Sequence, residues 1–136
     1  MGKLLWGDFV ENRKEYLSEN FTIQEARCKC NSPTCTALKR PPKRVVERLQ
    51  MARNIYGKPM VITSWSRCAL HNMAIGGALR SYHLKSIAVD IACADSRDRW
   101  KMVFALMQCG FTVVIYSDWI HADLRSDKPI LLWGSQ

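Results

Sequence analysis

The sequence predicts an α+β domain built on a small, mostly antiparallel sheet. Three observations lead there. The chain has 136 residues, the size of one domain that buries its own core without needing disulfides or metal. Helical patterning comes first, and strand-like runs follow with one helix between them. The last two runs, Phe111–Tyr116 and Trp119–Leu124, are joined so tightly at Ser117-Asp118 that they read as an antiparallel pair.

Taken in order, Thr22-Ile-Gln-Glu25 reads as a capping box that opens a short helical turn before a cysteine-rich loop. Pro41-Pro42 opens a longer helix. Val45, Val46, Leu49, Ala52, Ile55 and Tyr56 recur along it at helical spacing, and Gly57 stops it. Its other face carries Lys43, Arg44, Glu47, Arg48 and Arg53, a solvated face. Met60 to Thr63 reads as a strand ending near Ser64. Residues 65–82 form a long irregular segment containing Gly76-Gly77, and loops of that length in small domains usually carry function. Ile87–Ala92 is a second strand. Ser96 caps a helix that runs through Trp100, Val103, Phe104 and Met107 to Gly110. Trp6, Trp100 and Trp133 are read as core or edge packing.

Composition narrows the class. With 48% hydrophobic and 24% charged residues the chain is an ordinary globular protein. No apolar run approaches the roughly 18 residues of a membrane span. The N-terminal residues lack a signal peptide's apolar core, so synthesis in the cytoplasm without secretory export is expected. A net charge of +8 favours an anionic partner. The Lys and Arg are scattered and no nucleic-acid fingerprint is evident, so an anionic polymer such as a bacterial wall fits equally well.

Six cysteines in a leaderless chain argue for thiols or metal more than for disulfides. Cys93 and Cys109 lie in apolar stretches and read as core thiols. Cys28, Cys30 and Cys35 cluster in a polar loop, and Cys68 lies far along the chain. A structural Zn²⁺, disulfides and plain thiols all stay open for these four, since their spacing is not that of a standard zinc finger.

The chemistry concentrates in two stretches, Ser81–Asp90 and Asp118–Asp123. Only three histidines occur in the chain, and two of them, His83 and His121, fall here beside carboxylates. His83, Asp90 and His121 would present an N, O, N ligand set that holds Zn²⁺ and leaves a fourth position for water. His83 would end the loop and Asp90 sit on the strand that follows. Alternation places His121 and Asp123 on one face of the last strand, with Ile120 and Ala122 on the other. The set converges if the strands carrying Asp90 and His121 are neighbours.

The ordered pattern Ser-x-His-x₆-Asp followed by His-x-Asp resembles the zinc D-alanyl-D-alanine peptidases, which share a fold with lysostaphin-type endopeptidases and hedgehog domains. Supporting pieces run along most of the chain. They are Phe21–Glu25 with its cysteines, Gly57–Ser64 with Ser66-Arg67-Cys68, His71-Asn72, Gly76-Gly77 and Trp119–Arg125. The resemblance implies a zinc peptidase acting on peptidoglycan stem peptides, at a D-Ala-D-Ala or L-Ala-D-Glu type bond. It implies His83, Asp90 and His121 as ligands, and Arg67 as the group that steadies substrate or oxyanion. It gives Ser81 an orienting or substrate-contacting role. Asp118, three residues before His121, is implied as general base. Asp123 is the rival, or an acceptor that orients a ligand histidine or Arg125. Small size, positive charge and the missing leader suit a phage-type wall hydrolase.

One departure stands out, since Ser86 occupies a place where the family usually has glycine. If that residue has φ > 0, serine costs about 1 kcal/mol there or forces a different bend. Two other readings are kept: a non-catalytic zinc-fold module of a virion or wall-binding protein, and a basic nucleic-acid binder. His71 reads as a loop hydrogen-bonder rather than a ligand. Trp65, Tyr82 and Trp119 read as a cleft wall or as packing.

Overall fold

The computed structural model describes residues 14–134, and Trp6 lies outside them. The elements are α1 (Ile23–Ala26), α2 (Lys43–Tyr56), β1 (Ile62–Ser64), α3 (Ala69–Ala74), a 3₁₀ turn (Tyr82–Lys85), β2 (Ala88–Ala92), α4 (Ser96–Gln108), β3 (Thr112–Ile115), β4 (Trp119–Asp123) and β5 (Leu131–Trp133). The strands form one sheet in the order β1-β2-β4-β3-β5, antiparallel except for the parallel β3–β5 pair. The α+β expectation holds. No helix among the described residues is long and apolar enough to cross a membrane.

Local chemistry sets the helix ends. Thr22 Oγ1 accepts the Glu25 N–H at 3.3 Å, and Glu25 Oε1 accepts the Thr22 N–H at 2.9 Å, so the capping box forms on α1. Gly57 ends α2 in the left-handed region with φ 78°, its N–H donating to the Arg53 carbonyl at 2.9 Å. Ser96 is not the cap of α4. Asp95 is, its carboxylate accepting from the Arg97 and Asp98 amides at 2.8 and 3.2 Å, and Ser96 is the first helical residue. A carboxylate at that place also meets the positive end of the helix dipole, which favours it over a hydroxyl.

The sheet is two-faced, and the alternation decides what goes where. Val89 and Ile91 of β2, Val113 and Ile115 of β3, and Ile120 and Ala122 of β4 join the core with Val45, Leu49 and Ala52 of α2 and Met102, Ala105 and Leu106 of α4. Asp90 and His121 have the opposite parity, so the face turned away from the helices carries the polar residues. Trp100, Phe104 and Trp133 do not reach the core. They stay 64%, 51% and 77% exposed, and Trp100 packs edge-on against Phe104 at the surface. The segment 65–82 is less irregular than its composition suggests, since Cys68 caps α3 within it by accepting the His71 N–H.

Candidate metal centre

β2 and β4 are adjacent, and Asp90 pairs directly with His121 across the ladder. His83 is brought over the same face by the 3₁₀ turn. Ser81 caps that turn, its Oγ accepting the His83 N–H at 3.2 Å, so Ser81 positions the His83 backbone. His83, Asp90 and His121 each offer one ligand atom, and these atoms all lie within 4.8 Å of one another. His83 and Asp90 are buried, and His121 is nearly so.

The tautomers follow from the partners. His83 Nδ1 lies 2.7 Å from the Trp65 carbonyl oxygen, which only accepts, so Nδ1 carries the proton. His121 Nε2 lies 2.7 Å from Asp123 Oδ2, an acceptor as well, so its proton sits on Nε2. That leaves His83 Nε2 and His121 Nδ1 as lone pairs in the neutral rings. Both face Asp90 Oδ1, at 3.1 and 2.9 Å. Three acceptors converging with no proton among them repel one another, unless both rings are protonated or a cation lies between them. The donor set therefore fits a divalent metal held by Nε2, Oδ1 and Nδ1, with the far ring nitrogens tied down as metal-ligating histidines usually are.

Charge supports the set. Burial works against ionisation of Asp90, but the His121 and His83 rings, which donate to it only when protonated, outweigh burial in the metal-free protein and hold the carboxyl down at about 2. Asp123 is wholly buried. Burial opposes its charge too, and the bonds from His121 and Arg125 still keep it below its ordinary range. For His121 desolvation pushes the imidazole down, while the Asp123 and Asp90 carboxylates raise it on balance.

Arg67 closes one side. Its guanidinium donates to Asp90 Oδ2 at 3.1 Å, to Ser64 Oγ at 3.1 Å and to Asn72 Oδ1 at 3.2 Å. It thus touches the outer oxygen of the central carboxylate. Asn72 was not singled out for a role by the sequence, yet it is 4% exposed and bridges Arg67 to the Ala78 carbonyl. At Gly77 an added Cβ would fall 2.1 Å from Asn72 Oδ1. Gly77 leaves the space that Asn72 fills.

The two acidic candidates separate. Asp123 has both oxygens committed, Oδ1 to the Arg125 N–H and Nε–H and Oδ2 to Arg125 and His121. Arg125 in turn lies over the Tyr82 ring at 4.8 Å. Asp118 is not brought to the triad. It sits exposed in the β3–β4 turn, its carbonyl accepting the Cys93 N–H, and borders a surface hollow with Tyr56 and Asp98 on the helix side.

Of the aromatic residues, Trp65 is core, fully buried and edge-on to Phe21, while Trp119 stacks on Tyr116 at 3.8 Å. His71 lies on α3, outside the group around Asp90. Ser86 has φ 58°, in the left-handed region that costs a residue with a Cβ. Its Oγ bonds Ser66 Oγ at 2.8 Å and its carbonyl accepts the Trp65 indole N–H at 3.1 Å.

No curated protein matches the chain in a sequence comparison. A family model described as Peptidase M15 matches residues 19–123, a span that holds the convergent residues and most of the fold. With the geometry and this match in agreement, the chain belongs to the peptidase M15 family.

Proposed function

We propose that the chain is a zinc peptidase that hydrolyses a peptide bond in the stem peptides of bacterial peptidoglycan, at a D-Ala-D-Ala or L-Ala-D-Glu type link. The observation that carries the reading is the meeting of three acceptors, His83 Nε2, Asp90 Oδ1 and His121 Nδ1, on one face of the sheet of a peptidase-family chain. These three residues would hold the ion. When bound, Zn²⁺ supplies Lewis-acid polarisation of a carbonyl and acidifies a water.

The remaining work falls to side chains. Asp123 keeps the His121 ring oriented, and the Trp65 carbonyl does the same for His83. Arg67 holds Asp90 and sets a fixed positive charge beside the site, suited to an oxygen that gains negative charge as the carbonyl is attacked. Asp118 is proposed as the base that takes a proton from the attacking water and returns it to the leaving amine. Asp123 is fully engaged, whereas Asp118 stands on an exposed turn. The assignment requires the Ser117-Asp118 turn to present its carboxylate to the triad's face when substrate is bound. The net charge of +8 suits an anionic wall, and a phage-type lysin, made in the cytoplasm and acting at the wall, is the setting we favour.

The test is digestion of purified peptidoglycan of several chemotypes, with the new ends read by mass spectrometry. Zinc-loaded protein should release stem fragments, and chelator should stop it. Asp118→Asn should lower the rate about 10²–10⁴-fold with zinc content unchanged. Unchanged wall at every chemotype, with zinc bound, would make the chain a binding module instead. Full activity in Asp118→Asn would remove that residue from the chemistry.

A further inference from the structure

We propose that Cys28, Cys30, Cys35 and Cys68 form a second, closed Zn²⁺ site that fastens the cysteine loop to the segment carrying Arg67. Their four sulfurs lie within 4.8 Å of one another, although Cys28 and Cys68 are 40 residues apart in sequence. All are free thiols, and the Cys28 and Cys68 sulfurs stand 3.8 Å apart, far beyond a disulfide bond of about 2.05 Å. Zinc–thiolate bonds of about 2.3 Å arranged tetrahedrally set neighbouring sulfurs about 3.8 Å apart. The Cys28–Cys68 spacing equals that of two ligands on one ion, and the other sulfurs lie close enough to complete the set.

Backbone amides point at the sulfurs as they would at thiolates. The Cys68 N–H donates to Cys28 Sγ at 3.3 Å, the His71 N–H to Cys68 Sγ at 3.4 Å, and the Ser32 N–H to Cys30 Sγ at 3.4 Å. Such donors fix ligand orientation and offset negative charge. Residues 27–42 contain no helix or strand, so a loop of this length has few ladder bonds to hold it, and a metal cross-link supplies the restraint. Four sulfurs close the coordination shell and leave no place for water, which makes the site structural rather than catalytic. Its consequence reaches the triad. Cys68 follows Arg67 directly and caps α3, so fixing Cys68 fixes the backbone from which Arg67 reaches Asp90.

The experiment uses the full chain purified with reductant and without chelator, with metals counted per chain by mass spectrometry. Two zinc ions are expected in wild type, one in Cys30→Ser and one in His83→Ala. Cobalt substitution distinguishes the two sites, since a tetrathiolate gives intense visible absorption. That absorption should persist in His83→Ala and vanish in Cys30→Ser. If Cys30→Ser fails to fold, the cobalt spectrum of His83→Ala decides alone. One zinc in wild type that disappears with His83→Ala overturns the cysteine site and leaves the triad intact. Iron in place of zinc, or a disulfide in the intact mass, also overturns it. Two zinc ions retained in His83→Ala would instead defeat the triad reading and leave this one standing.

Discussion

Ser86 offers the most exacting check on how the site is built. It is wholly buried with φ 58°, and its hydroxyl bonds that of Ser66, itself 1% exposed, at 2.8 Å. The left-handed conformation costs a residue with a Cβ about 1 kcal/mol relative to glycine. Ser86→Gly recovers that amount. It also deletes a buried hydrogen bond and removes the partner of the Ser66 hydroxyl, a loss of about 1–3 kcal/mol. The balance makes the glycine variant less stable by about 1 kcal/mol, although glycine is what the family usually has there. Ser66→Ala should cost more, about 2 kcal/mol, since it strands the Ser86 hydroxyl and recovers no backbone strain. The double variant Ser66→Ala/Ser86→Gly removes both hydroxyls together, which is nearly neutral, and keeps the backbone relief. It should equal or exceed wild type. Thermal unfolding of chelator-treated protein reads this, with 1 kcal/mol worth roughly 3–5 °C at this size. A Ser86→Gly single variant several degrees more stable than wild type, or strictly additive effects in the double, would show that the hydroxyl pair offsets nothing.

The orienting role of Asp123 predicts that Asp123→Asn weakens zinc binding about 10–100-fold, read by competition with a chelating dye, and unchanged affinity would reduce Asp123 to an Arg125 partner. Gly77→Ala should push Asn72 off Arg67, because the new Cβ would fall 2.1 Å from Asn72 Oδ1 and 3.2 Å from the Arg67 guanidinium. A misplaced Arg67 should lower kcat/KM about 10²-fold while zinc content stays at the wild-type level, and wild-type kinetics would detach the clamp from catalysis. The pH dependence of the metal-free protein has two limbs. Asp90 is held at about 2, so its stabilising term is present above its unfolded value of about 3.9 and is lost as pH falls from there through 2. His121 is raised, so its term is complete below about 6.5 and is lost as pH climbs through the higher folded value. Chelator-treated protein should therefore melt highest in weakly acidic buffer, and zinc, which needs His121 neutral, should bind more tightly as pH rises. A melting temperature that climbs steadily from pH 5 to pH 8 without metal would contradict the raised His121.

The legible parts of this fold were those where local chemistry and periodicity agree. The capping box at Thr22, the helix opened by Pro42 and closed by Gly57, and the β3–β4 hairpin all form as the sequence implies. The convergence of His83, Asp90 and His121 was legible because histidine is scarce and the three follow a spaced motif. What escaped was set by distant partners. Trp100 and Phe104 fit an apolar helical stripe, yet Met102, Ala105 and Leu106 face the sheet, and only the packing of α2 against α4 decides that rotation. β5 was missed because Leu131–Trp133 is a three-residue edge strand, exposed along its length and held by parallel pairing to β3. Asn72 was legible only as part of the His71-Asn72 pair, with no role attached to it. Its importance lies in an acceptor aimed at Arg67 and in the missing Cβ of Gly77, and neither fact is visible before folding.

The two histidines meet Asp90 through different nitrogens, and the fold explains the difference. Asp90 and His121 are directly opposed on adjacent antiparallel strands, where Cα atoms stand about 4.5–5.5 Å apart. At that range the nearer nitrogen, Nδ1, meets the carboxylate, and Nε2 is left to point onward along the strand to Asp123. His83 comes from the 3₁₀ turn, outside the sheet, and it reaches Asp90 with the farther Nε2. Its Nδ1 is fixed by the carbonyl of Trp65, a backbone group that no side-chain substitution removes. That carbonyl stays in place because Trp65 is fully buried, set edge-on against Phe21 and tied by its indole N–H to the Ser86 carbonyl. Ser86 bends there in the left-handed region, within three residues of His83. One ligand thus depends on a substitutable carboxylate and the other on core packing. Damage to Asp123 should loosen the metal and leave the fold, whereas damage to the Phe21–Trp65 pair should cost the fold first and the metal as a consequence.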